Sequence, residues 1–469
     1  MKNQLLPCAA ALALSGLAAL AIAGCGQGSG ATTGTGGTAN PAMVVTVGDA
    51  PLTNILSAKV TISSISLTPS GGGSAVTVLS NPRTIELSSL GAIQEPLETE
   101  DVPAGTYNAV NVTIASATVT YLDSTGAAVN GTATVTSASD TVALNPALTV
   151  SQGHDVHLSL NFNLAQSFDL TGSTLTFTPA ITSAAASIES ENAAAREVEV
   201  TGSVVTISST SITVQSAGTG AQSTFAINSS TQFSANTSAG SIQQGSIVTV
   251  HGLVQTDGSL VATMISSSMD GKSMDSSQGG GRGIVTAVST DGSGNVTSFT
   301  FVPREDFGDM SSTAAMTVSL SSSTVYGVDQ EAIQDGILAT AFTNAEIFPG
   351  QSVQVIGMAG AGQSIAAQEV DLAPESLSGT LAAAPQGTAP TYTFTLQLPK
   401  ESYLTIYESL TTLMASTSAQ TQYEDSLTAS GFTSLAAGTS LEMHGYLLRD
   451  TSDNYLLTVA DISQVHSDN

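Results

Sequence analysis

The residues that could do chemistry are few, and most are acidic. His154-Asp155-x-His157 is the one cluster whose residue types suit a transition metal. On a strand, residues three apart point to opposite faces, and no cysteine or third histidine lies nearby to complete a tetrahedral set. A turn with exposed histidines at the start of a strand is expected, and no metal site is assigned. His251 and His444 occupy one slot of a repeat described below, but Ile356 fills that slot in the middle copy. A packed edge position is therefore expected there, not a shared catalytic role. Glu95, Glu98, Glu100 and Asp101 form one acidic run, and Arg304-Glu-Asp-Phe-Gly-Asp309 forms another. Carboxylates of this kind could hold Ca²⁺, whose ligands are oxygens. Neither run has the alternating Asp/Asn/Gly loop of a dedicated calcium motif, so both are expected to be solvated loops. No phosphate loop, G-x-S-x-G elbow or dinucleotide fingerprint occurs. Acidic pairs that could cleave a glycosidic bond exist in any acidic chain, and their separation is not readable from sequence. No catalytic residue and no cofactor is assigned, and the chain reads as a non-enzyme.

One residue does receive a chemical role. Cys25 ends an apolar run that begins near Leu5 and closes with Leu20-Ala21-Ile22-Ala23-Gly24. Behind it, residues 26–41 are rich in Gly, Ser and Thr without apolar pattern, as in a flexible tether. The leader has a weak n-region, Met1-Lys2, and an apolar h-region rich in Leu and Ala. The stretch resembles the lipobox of bacterial lipoproteins. That resemblance implies cleavage before Cys25 and acylation (palmitate) of the new N-terminus. Gly26 follows the cysteine, where an Asp would imply inner-membrane retention, so the resemblance implies delivery to the outer membrane. The other cysteine, Cys8, lies in the leader. The mature chain is thus expected to have no disulfide and no cysteine metal cluster, and to rely on sheet packing.

Composition narrows the partners. The chain has 37 acidic against 9 basic residues, a formal net charge of −28. So few cations make nucleic acid an unsuitable partner, because phosphate backbones are bound through Lys and Arg. The acidity is expected to serve solubility and self-repulsion on an envelope protein. Apolar residues alternate with Ser and Thr, and after Cys25 no apolar stretch approaches the ~20 residues of a spanning helix. A membrane barrel would also alternate, but aromatic girdles are lacking and the chain divides into dissimilar blocks. A β-rich ectodomain is expected.

The elements that would position these residues are short strands. Val45 and Val47, then Val60, Ile62, Ile65 and Leu67, mark strands separated by the Gly48-Asp49-Ala50-Pro51 turn. Val110, Val112 and Ile114 alternate on a strand over 109–115, and further strands are expected at 117–122, 132–136, 141–144, 156–162 and 174–181. Such spacing indicates a β-sandwich. The segments 47–51, 60–67, Pro103-Ala-Gly-Thr-Tyr107 and Leu158-Ser-Leu-Asn-Phe-Asn-Leu164 fall in the order seen in domain of unknown function 4382. Residues 43–188 resemble that family, with the Pro-x-Gly-x-Tyr corner of transthyretin-like sandwiches.

An Ala/Ser/Glu segment, 183–197, is expected to separate this module from a repeat. Gly245 and Gly252, Gly350 and Gly357, and Gly438 and Gly445 each stand seven apart around an alternating strand. Each copy opens on a glycine, Gly202, Gly283 or Gly379, and closes on another strand, 260–265, 365–370 or 456–462. Glycine at these places fits a small, tightly coiled barrel whose strands bend at corners. The repeats resemble domain of unknown function 5666, a small barrel with an OB-like look. In the third copy Tyr403, Ile406, Tyr407, Leu410, Leu413 and Met414 have helical spacing, which predicts a helix of about three turns.

The expected architecture is all-β. A signal peptide (1–24) and a tether (25–42) precede a β-sandwich (43–188). Barrel 1 (198–268), a linker (269–282), barrel 2 (283–373) and barrel 3 (377–466, with the helical insertion) follow. The expected function is a lipid-anchored, non-catalytic envelope protein, a binding or spacer module. It is attached to the membrane through lipid and open to a glycan or an envelope protein as partner. Carbohydrate binding is weakened by the scarcity of aromatics, with Tyr107, Tyr121 and Tyr326 scattered. Polymer hydrolysis, and a structural partnership in an envelope assembly through exposed strand edges, are the alternatives.

Overall fold

The computed structural model describes residues 40–464 except 51–53, 91–93, 124, 171–173, 235–236, 309–314, 329–341, 424–426 and 450–453. The leader, Cys25 and the tether as far as 39 lie outside the described residues, as does Asp309.

The N-terminal module is a sandwich of two sheets. One orders Ile181–Ser187, Val156–Asn163, Ala42–Ala50 and Glu95–Asp101, with Ala42–Ala50 parallel to Val156–Asn163. The other is built on two long strands, Ile55–Pro69 and Gly105–Leu122, paired antiparallel. The segments expected as separate strands at 109–115 and 117–122 are therefore one strand. Val110, Val112 and Ile114 face inward beside Val60 and Ile62 of the paired strand, in one buried core with Leu160 of the other sheet. Tyr107 closes the corner after Pro103, its hydroxyl donating to the Pro103 carbonyl at 2.7 Å. The Ala/Ser/Glu segment begins as the edge strand Ile181–Ser187 and leads through short 3₁₀ turns to Glu197, so it separates the modules less than its composition suggests.

Three five-stranded barrels follow with one topology. Barrel 1 uses Glu197–Ile207, Ser211–Ser216, Gln222–Ala226, Ile247–Val254 and Leu260–Ser267. Barrel 2 uses Gln278–Thr290, Val296–Phe307, Met316–Ser319, Ser352–Gly360 and Ser364–Leu372. Barrel 3 uses Glu375–Leu381, Thr391–Gln397, Thr412–Ser416, Ser440–Arg449 and Tyr455–Gln464. In each, the first strand pairs with the second and fourth, and the fifth pairs antiparallel with the fourth and parallel with the third. This is the ring of an OB-like barrel.

The repeated glycines follow from that ring. Gly245, Gly350 and Gly438 have positive φ (84°, 93° and 87°), a region costly for other residues. The second glycine of each pair sits where the fourth strand shifts register against the fifth, at His251/Gly252, Ile356/Gly357 and His444/Gly445. A β-carbon on Gly357 or Gly445 would fall 2.2 Å from the carbonyl oxygen of Ala366 or Thr458. A second repeated device lies between third and fourth strands. Thr231, Thr324 and Thr421 each donate a hydroxyl to the fifth strand, at Ala262 (2.8 Å), Ala367 (3.0 Å) and Val459 (2.7 Å). Each precedes by two residues an aromatic on a short strand lying parallel to the fifth: Phe233, Tyr326 or Tyr423.

Two expectations are corrected. The helix of barrel 3 spans only Tyr403–Glu408 and stops at Ser409, whose φ is 58°. Leu413 and Met414 belong to the strand Thr412–Ser416, one buried and the other 52% exposed, because period-2 burial wins where the helix has ended. The linker expected at 269–282 is mostly built structure, with a turn at Ser268–Gly271 and the first strand of barrel 2 starting at Gln278. Its glycines allow close strand packing: β-carbons on Gly280, Gly281 and Gly283 would lie 2.0, 2.4 and 2.1 Å from the carbonyl oxygens of Val355, Glu305 and Val302.

The modules share their cores. Leu56 and Leu122 of the sandwich pack with Ile284 and Phe348 of barrel 2 and Leu377 of barrel 3. Tyr446 of barrel 3 enters the core of barrel 2. Val44 and Ile188 of the sandwich join that of barrel 1, and Ile247 meets Phe307 and Ile356 between barrels 1 and 2.

Candidate functional site

The charged side chains of greatest chemical interest converge where the four modules meet. Glu86 and Glu95 come from the sandwich, Glu199 and His251 from barrel 1, Arg282, Arg304 and Glu305 from barrel 2, and Glu375, Tyr403 and His444 from barrel 3. Glu86, Glu95, Arg282, Arg304, Glu305 and Glu375 are all at least nine-tenths buried. Both acidic runs expected as solvated loops are thus strands with buried members. Glu95 starts the edge strand Glu95–Asp101, along which Glu98 is half-buried near Arg83 (3.8 Å) and Glu100 and Asp101 are exposed. The 304–307 segment continues the second strand of barrel 2.

Arg304 is the hub of one half. Its Nε donates to the Leu56 carbonyl of the sandwich at 2.7 Å, and its guanidinium to Glu375 of barrel 3 at 3.1 Å. Burial disfavours its charge, but Glu375 and Tyr403 more than offset this and keep it protonated. Burial and then the Glu375 charge push the Tyr403 hydroxyl well above the usual phenol range. Glu86 accepts from Ser57 Oγ (2.6 Å), the Ala58 amide (2.7 Å) and Ser88 Oγ (2.6 Å), a fully engaged carboxylate.

The other half gathers on Arg282. Glu199 lies 3.6 Å from Arg282 and 3.6 Å from His251. Burial alone would raise Glu199, but His251 and Arg282 outweigh it and hold the carboxyl below the usual range. Glu305 and Glu95 behave oppositely. Burial raises Glu305 despite Arg282. Burial, with Glu305 and Glu199 nearby, pushes Glu95 up to about 8 against the hydrogen bonds of Ser216 and Thr219. The first cause is burial, which strips water from both carboxyls, and the surplus of carboxylates over guanidiniums adds to it; protonation relieves both.

A cleft of about 610 Å³ between barrels 1 and 2 reaches this junction, with Glu199 and Arg282 among its lining. Its walls carry Asp270, Lys272, Glu369 and Asp371 beside many hydroxyls. Glu369 accepts the Met269 amide at 2.8 Å, and Gln354 donates to Ser268 at 2.6 Å, so parts of the wall bond to each other.

The histidines divide. His154 is exposed and pairs with Glu189 at 2.9 Å, as expected of a surface residue. His157 departs from expectation: it is buried, 3.1 Å from Glu191 and 2.9 Å from Thr46 Oγ1. The shared slot before the second glycine points toward the junction, with His251 facing Glu199, His444 3.3 Å from Asp461, and Ile356 packed against Ile247 and Phe307. Among the described residues, no three metal-ligating side chains come together to hold an ion. Among them too, no helix is long and apolar enough to cross a membrane. The cross-module roles of Arg282 and Arg304 do not show in the sequence. The available signal was that two of only 9 basic residues stand in strand-like surroundings beside glycine or acid.

Fold and junction together define an all-β protein in which a sandwich is locked to three OB-like barrels. Residues 42–179 match the family described as Domain of unknown function (DUF4382), and residues 201–266 match Domain of unknown function (DUF5666). Among curated proteins, none matches the chain. Among solved structures, a deletion variant of the single-stranded DNA-binding protein from Thermus aquaticus is 14% identical, covering 41% of this chain and 95% of its own, with a TM-score of 0.18. The wild-type form of that protein is 14% identical over 41% of this chain and 94% of its own, with a TM-score of 0.17.

Proposed function

We propose that the chain is a lipid-anchored, non-catalytic protein of the cell envelope, attached through Cys25 and carrying its four β modules as one block. The observation that carries this reading is the junction, where the acids and bases best suited to chemistry are bonded across modules. Arg304 holds the sandwich and barrel 3, and Glu95 holds the Thr219 turn of barrel 1 at 2.9 Å. Cations are similarly committed, Lys59 to Asp306 at 3.3 Å and Arg83 near Glu98, which leaves little positive surface for nucleic acid. Support for the anchor is the apolar run ending at Cys25 and the patternless segment behind it. Metabolic labelling with a fatty acid and membrane fractionation test it. Cys25→Ala should lose label and leave the membrane fraction, and unchanged labelling would refute the assignment.

A second reading, recognition of a polyhydroxylated ligand, is favoured by the hydroxyl-rich cleft between barrels 1 and 2. Glycan-array binding by the full chain, lost on Asp270→Ala with Lys272→Ala, would support it. Silence across a broad array would remove it.

A further inference from the structure

We propose that the contact between the sandwich and barrels 1 and 2 is a proton-held latch, closed only while Glu95, crowded with Glu305 around the Gly218 turn, carries a proton. The turn joining the second and third strands of barrel 1 inserts against the sandwich. The Gly218 carbonyl accepts the Glu86 amide at 3.1 Å, and Thr219 Oγ1 donates to Glu95 Oε1 at 2.9 Å. Ser216, whose Oγ accepts the Thr219 amide at 2.8 Å, hydrogen-bonds the same carboxyl. A β-carbon on Gly218 would lie 3.1 Å from Glu95 Oε2 and 3.9 Å from Glu305 Oε1, so two carboxyls from different modules face one glycine. Glu305 Oε2 is buried and has no hydrogen-bond partner among the described residues.

The charges around the latch do not neutralise an ionised Glu95. The charged groups acting most strongly on it are Glu305 of barrel 2 and Glu199 of barrel 1, both acidic. Arg282 is drawn to Glu305 and Glu199, with His251 and His444 also acting on Glu199. Arg304 serves Glu375 and Glu86, and Lys59 serves Asp306. Loss of the Glu95 proton therefore adds a buried negative charge to an acidic space, and the least costly relief is to withdraw the turn and admit water. A protonated carboxyl, in contrast, brings no charge into this space and still accepts the Thr219 hydroxyl on Oε1.

The sign is set by the two states. The carboxyl titrates at about 8 when enclosed and near 4.5 when released, so closure binds a proton and weakens as pH rises between those values. Opening should increase about 100-fold between pH 6 and pH 9 and level off above the enclosed value. Hydrogen exchange on the full chain, corrected for the intrinsic pH dependence of amides, reads this in segments 95–101 and 216–221. Glu95→Gln, a neutral group of the same shape, should abolish the pH dependence there. Glu100→Gln, on the exposed end of the same strand, should keep the wild-type profile. A flat wild-type profile overturns the latch even if the Glu95 variant does not fold. So does a profile unchanged by Glu95→Gln, and one that Glu305→Gln abolishes while Glu95→Gln keeps it would place the proton on Glu305 instead.

Discussion

Replacing Arg304 by Met keeps most of the side-chain volume and removes the guanidinium. In the native protein the arginine is 5% exposed and its partner Glu375 is fully enclosed, at 3.1 Å. The variant would strand the Glu375 carboxylate in a space without its cation and deprive the Leu56 carbonyl of its donor at 2.7 Å. Breaking a buried pair from one side costs about 3–5 kcal/mol, and the Leu56 carbonyl left without its donor adds about 1–3 kcal/mol. The burial of both groups means that solvent screening does not reduce the figure. Removing both charges, Arg304→Met with Glu375→Leu, should recover most of the loss, since a packed apolar pair is often neutral or better. Urea denaturation of the single and double variants measures the energies. Hydrogen exchange then shows where the loss is felt, which should include the sandwich around Leu56 and the first strand of barrel 3. A single-variant cost under about 1 kcal/mol, or a loss confined to barrel 2, would refute the cross-module role given to Arg304.

Two further outcomes follow from the same structure. Gly283→Ala puts a β-carbon 2.1 Å from the Val302 carbonyl oxygen, so the strands must part, and thermal denaturation should show a loss of about 1–3 kcal/mol. Gly292→Ala, in open space on the neighbouring hairpin, should change stability by under about 0.5 kcal/mol. Glu199, held below the ordinary glutamate range by His251 and Arg282, contributes stability that is present above that range and lost as pH falls through its lowered value. An acid titration of unfolding should therefore be shallower at its low-pH end in Glu199→Gln, and an unchanged acid limb would contradict the pairing.

The sequence carried the fold further than it carried the junction. Alternation in Val110, Val112 and Ile114 was legible because one face of a sandwich sheet must be buried whatever its partners are. The glycine pairs were legible because barrel closure demands the same bend three times. The glycines beside Arg282 look like a linker by composition, which cannot distinguish a flexible glycine from one crossed by another strand's carbonyl. The same limit hid Arg304 and Glu305. A charged run reads as solvated unless its partners are known, and those partners, Leu56 and Glu375 for Arg304 and Arg282 for Glu305, come from other strands or modules. The helical spacing in barrel 3 misled beyond Glu408 because apolar residues three and four apart also occur where a helix hands over to a strand. The threonines at 231, 324 and 421 were a readable repeat, Thr followed two residues on by Phe or Tyr, obscured by unequal loop lengths.

The central claim is that the sandwich and the three barrels are a single cooperative block, and differential scanning calorimetry of the full chain tests it most directly. Shared cores and the buried junction predict one endothermic transition whose calorimetric and van't Hoff enthalpies agree. Two or more separate transitions, or a van't Hoff enthalpy well below the calorimetric one, would show independently folding modules and contradict the account.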